Sequence, residues 1–324
     1  MKPQIKISDS VQKSLRCPVC HGELGPLDHD GRFHCLNDQC QTTYPTIDGI
    51  PCLINENSSI FSFDDFIQQR ETTLRLKENK IIKTIQRSIP STSNNIKAKR
   101  NYRLFAQKLL KKSSHPRVLV LGGSILGQGM EAILSFPAIE FVETDVSFGP
   151  RTTLICDAHD IPFVDGSFDG VIVQAVLEHV VDSFACVEEI HRVLKKDGLV
   201  YAETPFIQQV HGRQYDFMRF THLGHRRLFR KFTEIESGAV CGTGMALAWS
   251  YEYFLLSFVK SRFARRLVKA FAGLTSFYLK YFDHLTIDKP GTLDAASGYY
   301  FMGKKSDTPL ADKELIKLYR GAIQ

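Results

Sequence analysis

Asp157-Ala158-His159-Asp160-Ile161-Pro162-Phe163-Val164-Asp165-Gly166-Ser167-Phe168-Asp169, running on through Gln174-Ala175-Val176-Leu177-Glu178-His179 to Arg192-Val193-Leu194-Lys195-Lys196-Asp197-Gly198, decides the fold. Within it, Val171-Ile172-Val173 is a short β-branched run behind the turn-rich Asp165-Gly166-Ser167, the pattern of a buried parallel strand. Asp182-Ser183 then offers a helix N-cap. Phe184, Val187, Ile190 and Leu194 recur at helical spacing, and Lys195-Lys196 before Gly198 reads as a helix C-terminus. Leu199-Val200-Tyr201-Ala202 supplies the next strand. Strand, helix and strand in this length make a right-handed βαβ unit, and an open parallel sheet binds ligands at the carboxyl ends of its strands.

The same run resembles the type 11 branch of the class I S-adenosylmethionine-dependent methyltransferases, whose members carry "DA..LPF.D.SFD", "LEH" and "E..RVLK.GG" segments. The resemblance implies an α/β, Rossmann-like, doubly wound sheet of seven strands with the last antiparallel. It also implies S-adenosylmethionine as cofactor, and it leaves the methyl acceptor open.

Working back, Val118-Leu119-Val120-Leu121 reads as the first strand and Gly122-Gly123-Ser124-Ile125-Leu126-Gly127-Gln128-Gly129 as the loop after it. Glycines there let the backbone approach a cofactor, and the following helix turns its N-terminus toward a carboxylate. The loop departs from the superfamily pattern: Val120 stands at the usual acidic position, and Ser124 and Leu126 stand where glycines are common. Ile139 to Asp145 ends a second strand with an acid suited to the two ribose hydroxyls, Asp145 first and Glu143 in reserve. By resemblance Asp157 lies near the adenine amine with Ala158 contributing backbone; Gln174, following the fourth strand, is placed beside the cofactor by that position. The cofactor set is therefore Gly122, Gly123, Ser124, Gly127, Gly129, Asp145, Asp157, Ala158 and Gln174.

Gln174 to His179 should line the space between cofactor and acceptor. A methyl group on sulfonium is already activated, so a base is needed only when the acceptor must lose a proton. His179 has a suitable intrinsic pKa and Glu178 can assist, although the same histidine can instead be hydrogen-bonded in the fold. His211 and His222, in a polar and aromatic loop that begins with Glu203-Thr204-Pro205 after the fifth strand and is placed to cover the site, are further base candidates.

Cys17-Pro18-Val19-Cys20 and Cys35-Leu36-Asn37-Asp38-Gln39-Cys40 form two close cysteine pairs, as a tetrahedral zinc site requires. With Tyr44-Pro45-Thr46-Ile47-Asp48-Gly49-Ile50-Pro51 the segment resembles the zinc ribbons of the Trm112-like family, implying a structural Zn2+ on Cys17, Cys20, Cys35 and Cys40. The second pair has four intervening residues where two are commoner, which leaves His34 or His21 as substitutes. Cys52, Cys156, Cys186 and Cys241 read as buried small hydrophobes.

These signals divide the chain into a zinc ribbon at 1–58, a helical linker at 59–95, the methyltransferase-like domain at 96–306 and a tail at 307–324. The linker's helices rest on Phe63, Phe66, Ile67, Leu74, Leu76, Ile81, Ile82 and Ile85. Before the last strand a helical insertion spans about 245–290. In it Leu255, Val259, Phe263, Leu267, Phe271, Leu274 and Tyr278 share one helical face, with Arg262, Arg265, Arg266 and Lys269 opposite. That basic amphipathic pattern suits an anionic membrane surface, a lid over the acceptor, a homodimer face, or plain packing on its own domain.

The net charge of +6 is modest, and no signal-like apolar run opens the chain. A cytoplasmic protein, peripheral at the inner membrane face if the insertion binds lipid, is the expectation. The leading function is methylation of a small-molecule or lipid- or sugar-linked acceptor. The alternatives are an RNA methyltransferase, since a ribbon ahead of such a domain resembles certain ribosomal-RNA guanine methyltransferases, and a non-catalytic scaffold that binds a partner through its ribbon.

Overall fold

Leu119, Val171, Val173 and Val200 are buried on one sheet face and Val118, Ile172, Leu199 and Tyr201 on the other, as strands covered on both sides must be. The computed structural model describes residues 5–73 and 90–322. Helices resting on Leu74, Leu76, Ile81, Ile82 and Ile85 lie outside the described residues. The described strands are β1 (Arg32–His34), β2 (Thr43–Ile47), β3 (Ile50–Leu53), β4 (Arg117–Leu121), β5 (Glu140–Asp145), β6 (Leu154–Cys156), β7 (Phe168–Gln174), β8 (Leu194–Pro205), β9 (Phe232–Cys241) and β10 (Gly298–Lys305). Seven of them, in the order β6-β5-β4-β7-β8-β10-β9, make the expected doubly wound sheet, with β10 antiparallel to both neighbours. The order reverses between β4 and β7, so the crevice beyond their carboxyl ends is where a ligand fits.

Helix α1 (Ala98–Leu110) packs Tyr102, Phe105 and Leu109 on one sheet face, and α2 (Ser183–Val193) packs Val187 and Ile190 on the other. Asp182 caps α2 by accepting from the backbone of Phe184 and Ala185. The helix ends earlier than its periodicity suggests. Leu194 is already extended and opens β8, paired with Phe168, and the left-handed turn falls on Asp197 (φ 63°) rather than Gly198.

Among the described residues ten strands, not seven, belong to the sheet. The amino-terminal strands β1, β2 and β3 are antiparallel to one another, and β3 adds parallel to β6 through Cys52 opposite Ile155 and Leu53 opposite Cys156. Strand β6 would otherwise expose a row of unpaired backbone groups at the sheet edge, and β3 covers it. Leu15, Cys17, Phe33 and Tyr44 share one core with Leu154 and Phe163, so the ribbon packs into the large domain.

Between β9 and β10 the insertion folds as α3 (Thr243–Leu256) and α4 (Arg262–Ser276) with short helical turns behind them. The single apolar face expected from Leu255 to Tyr278 is cut at 257–261, where Ser261 caps α4. Phe263, Leu267, Phe271 and Leu274 form a stripe on α4 that is 55 to 69 % exposed, while Ala272, Gly273 and Ser276 face the protein.

Candidate active site and metal centre

The carboxyl ends of β4, β5, β7 and β8 open into a cavity of about 520 Å³. A narrower pocket adjoins it, and Leu121, Gly122, Asp145, Val176 and His179 line both. Gly122 turns the chain out of β4 at φ +72°, and a Cβ there would stand 2.3 Å from Val176 Cγ2. Gly127 lies against Gln174, whose Oε1 would be 1.8 Å from an added Cβ. Only glycine lets the loop lie this close to the strand ends. Ser124 joins Gly122 and Gly127 on the wall, whereas Gly123 packs on Glu143 and Gly129 on Ala98, behind the cavity.

Asp145, at the end of β5, accepts a hydrogen bond from the Ser124 backbone N–H at 3.0 Å and faces both pockets. Burial raises its pKa from the ordinary value, against the stabilising hydrogen bonds of Ser124 and the N–H groups of Val146 and Ser147. The reserve acid, Glu143, instead holds Arg151 in an ion pair and does not line either pocket.

The narrow pocket is walled by Asp157, Ala158, Val146, Val180 and Phe61. Asp157 accepts from His159 Nδ1 at 2.6 Å and from Ser59 Oγ at 2.6 Å. Burial would raise the Asp157 pKa, but His159 and the hydrogen bonds outweigh it and hold the carboxyl below its usual range. The Asp182 backbone N–H donates to His159 Nε2, which fixes the proton on Nδ1. Ser59 and Phe61 come from the chain just after the ribbon, so one wall of this pocket is built by residues outside the large domain proper.

On the far side Gln174 donates to Glu203 Oε2 at 2.8 Å and accepts from Tyr102 at 3.0 Å. Glu203 also accepts from Asn95 at 2.7 Å and Tyr201 at 2.5 Å, all of them neutral donors, and burial raises its pKa. It stands opposite Gln174 in the β7–β8 register, at the carboxyl end of a central strand. Reading residues 203–211 as one covering loop hid it; the strand-end position was the signal.

Glu178, His179 and His211 meet at the cavity, where Glu178 is fully buried. His222 does not join them. It is buried beside Tyr299 and near the Ser237 hydroxyl, with Arg320 Nη2 at 3.1 Å, and burial lowers its pKa to about 4. That seat, away from the cavity, removes it as a base for the reaction.

Residues 133–202 match the sequence profile of the family described as "Methyltransferase domain". That match runs from the helical turn after β4 to β8 and takes in the centre of the sheet. The chain is similar to the ubiquinone/menaquinone biosynthesis C-methyltransferases of Geotalea uraniireducens and Citrifermentans bemidjiense. Each is 30% identical, over 116 and 118 residues, covering 31% of this chain and 49% and 50% of theirs. The chain thus spans about half the length of the curated relatives it matches. Among solved structures, a phosphoethanolamine N-methyltransferase 2 of Haemonchus contortus is 19% identical (TM-score 0.38, covering 64% of this chain and 53% of that one). The [4+2]-cyclase SpnF is 17% identical (TM-score 0.38, covering 66% and 81%).

Ahead of the methyltransferase domain, the four cysteines Cys17, Cys20, Cys35 and Cys40 converge. Cys17 and Cys40 Sγ are 3.7 Å apart and Cys20 and Cys35 Sγ 3.4 Å, spacings that fit one tetrahedral ion with Zn–S bonds of about 2.3 Å. The Tyr44 hydroxyl lies 2.9 Å from Cys17 Sγ, and the Gly22 N–H donates to Cys20 Sγ, as thiolates at a metal would require. Among the described residues no histidine joins the group: His34 pairs with Asp28 at 2.5 Å, and His21 serves as a turn residue at φ 57°.

Proposed function

We propose that the protein transfers the methyl group of S-adenosylmethionine to a small-molecule or lipid- or sugar-linked acceptor, and that the four cysteines hold a structural zinc ion. The observation that carries this reading is the continuity of the two pockets. A nucleoside seated between Asp157, Ala158 and Asp145 would direct its amino-acid arm past Gly122 and Gly127 into the larger cavity. Bound there, the cofactor supplies a methyl group already activated on sulfonium. The residues need chiefly to orient the acceptor and exclude water. Residues 206–212 and the first turns of α3 cover the cavity: Gln208, His211 and Met245 line it, and Tyr253 on α3 donates to the Val210 carbonyl. Four cysteine ligands leave a zinc ion no open position, so that site serves folding.

The test is calorimetry with S-adenosylhomocysteine, followed by labelled methyl transfer into a metabolite and lipid extract. Micromolar-range binding with label in the small-molecule or lipid fraction supports the reading. Label in RNA would move the acceptor to nucleic acid, and no cofactor binding would favour the scaffold.

Lipid linkage of the acceptor is supported by the insertion. The apolar stripe of α4 faces outward, flanked by Arg262 and Arg266, and Phe254 and Phe258 are also exposed. No acidic residue occurs between Glu252 and Asp283, a stretch that holds six lysines and arginines. Arg265 is turned inward, toward the carbonyls of Leu256 and Val259, so it braces the turn. Among the described residues no helix is long and apolar enough to cross a membrane, and α4 would lie in the interface plane. Flotation with phosphatidylglycerol-containing vesicles is expected, at least tenfold reduced in a Phe263→Glu, Leu267→Glu double variant. Equal flotation of both proteins, or none of either, would refute the membrane contact.

A further inference from the structure

We infer that Glu178, His179 and His211 form a second metal site, one that binds a divalent cation such as Co2+, Fe2+ or Zn2+ with open positions toward the methyl acceptor. Glu178 is completely buried, and among the described residues no donor lies within hydrogen-bond reach of either oxygen. An ionised carboxylate left buried without a partner is strongly disfavoured, so a cationic partner belongs there.

The two nearest groups are presented as acceptors. His179 Nδ1 lies 2.6 Å from the Tyr215 carbonyl, so it donates its proton there and turns a bare Nε2 toward Glu178 Oε1, 3.6 Å away. His211 Nδ1 is 3.2 Å from the Gln209 carbonyl, with the Asp216 carboxylate at 3.7 Å, and its Nε2 faces the same Oε1 at 3.7 Å. A proton on either Nε2 would still fall short of a hydrogen bond at these distances and would leave Oε2 bare.

Three ligand atoms therefore converge within 4.8 Å of one another, with neither Glu178 oxygen hydrogen-bonded among the described residues. Ligand atoms about 2.1 Å from a tetrahedral ion stand roughly 3.4 Å apart, a few tenths of an ångström closer than the 3.6 and 3.7 Å that separate Glu178 Oε1 from the two histidine nitrogens. Both histidines carry the carbonyl-bonded second nitrogen usual for metal ligands. Two histidines and one carboxylate on one side of an ion leave its other positions open. Here those positions face the large cavity, which all three residues line. Gly212 lets the loop close on His179, since a Cβ there would stand 2.4 Å from Nδ1.

An oxygen of the acceptor fits an open position; this last step, unlike the cation site, rests on the methyl-transfer reading. Coordination would ease loss of the hydroxyl proton to solvent. The oxygen lone pair would then form the O–CH3 bond while the S–CH3 pair stays on sulfur.

The experiment is a Co2+ titration of the protein with its cysteine cluster already zinc-loaded, followed by visible absorption and by metal analysis after desalting. One equivalent should bind with d–d bands and no thiolate charge-transfer band, at least tenfold more weakly in His211→Ala and in Glu178→Gln. S-adenosylhomocysteine binding, measured without cobalt, reports separately on the cofactor site, and thermal melting reports on folding. No cobalt beyond the cysteine cluster in the wild type, or binding undiminished in both variants, would overturn the site whatever the cofactor does.

Discussion

Asp145→Ala should weaken S-adenosylhomocysteine binding about thirtyfold to a hundredfold, roughly 2–3 kcal/mol at 25 °C. A buried carboxylate that accepts from two ribose hydroxyls makes charge-assisted bonds, each stronger than a neutral one. In the free protein Asp145 is held by Ser124, whose backbone N–H donates at 3.0 Å, and by the N–H groups of Val146 and Ser147, and its carboxylate still lines both pockets. Alanine frees the Ser124 N–H but also relieves a buried charge, and these offset. Thermal stability should therefore move by only about 1 kcal/mol while affinity falls far more. Calorimetry set beside a melting curve separates the two, and an affinity within threefold of wild type would remove Asp145 from the cofactor site.

The raised pKa adds a pH signature. Burial favours protonated Asp145 in the free protein, whereas ribose hydroxyls bond the ionised form. Binding at low pH must then release a proton. Affinity should be level near neutrality and fall as pH drops through the raised folded value, which lies above the ordinary 3.8. The stability linkage has the opposite sense. A raised folded pKa contributes stability below the unfolded value that is lost as pH rises through the folded one. Asp145→Ala should abolish the acid dependence of binding at this site.

The central βαβ unit was legible because each signal in it is local: Val171-Ile172-Val173, the Asp182 cap, and the apolar spacing behind it. What escaped was long-range. Nothing in Ile50-Pro51-Cys52-Leu53 tells that it lies beside Leu154–Cys156, because edge pairing depends on which strand is left uncovered. Glu143 and Asp145 alternate on one strand and look alike in sequence; Arg151 takes the first and leaves the second to the cavity. Glu203 was hidden for a similar reason, since its neighbours Gln174, Asn95 and Tyr201 are distant in the chain or read as core. The apolar phase from Leu255 to Tyr278 runs through the turn at 257–261, so periodicity alone could not show two helices.

Cys17→Ser is expected to remove the ribbon's bound metal and, with it, order well beyond the cysteine cluster. Structural zinc binding supplies on the order of 10 kcal/mol to small ribbons, and a serine hydroxyl is a poor replacement for thiolate. In a free-standing ribbon the loss would stay local. Here Cys17 is fully buried in the core that holds Leu154 and Phe163, and β3 is hydrogen-bonded along β6. Asp157 follows β6 directly, and its carboxylate accepts from Ser59, just beyond β3. Releasing the ribbon should loosen β3, Ser59 and Phe61 together and open the narrow pocket. The expected readings are loss of zinc, new proteolytic cleavage within residues 5–61, and S-adenosylhomocysteine binding about tenfold weaker, or 1.4 kcal/mol. Cys52→Ala supplies the control: Cys52 is buried but outside the cluster, so that variant should lose stability while keeping zinc and affinity. If Cys17→Ser loses zinc yet binds ligand as the wild type does, Ser59 and Phe61 are held by the sheet edge alone, and the metal serves only the knuckles around it.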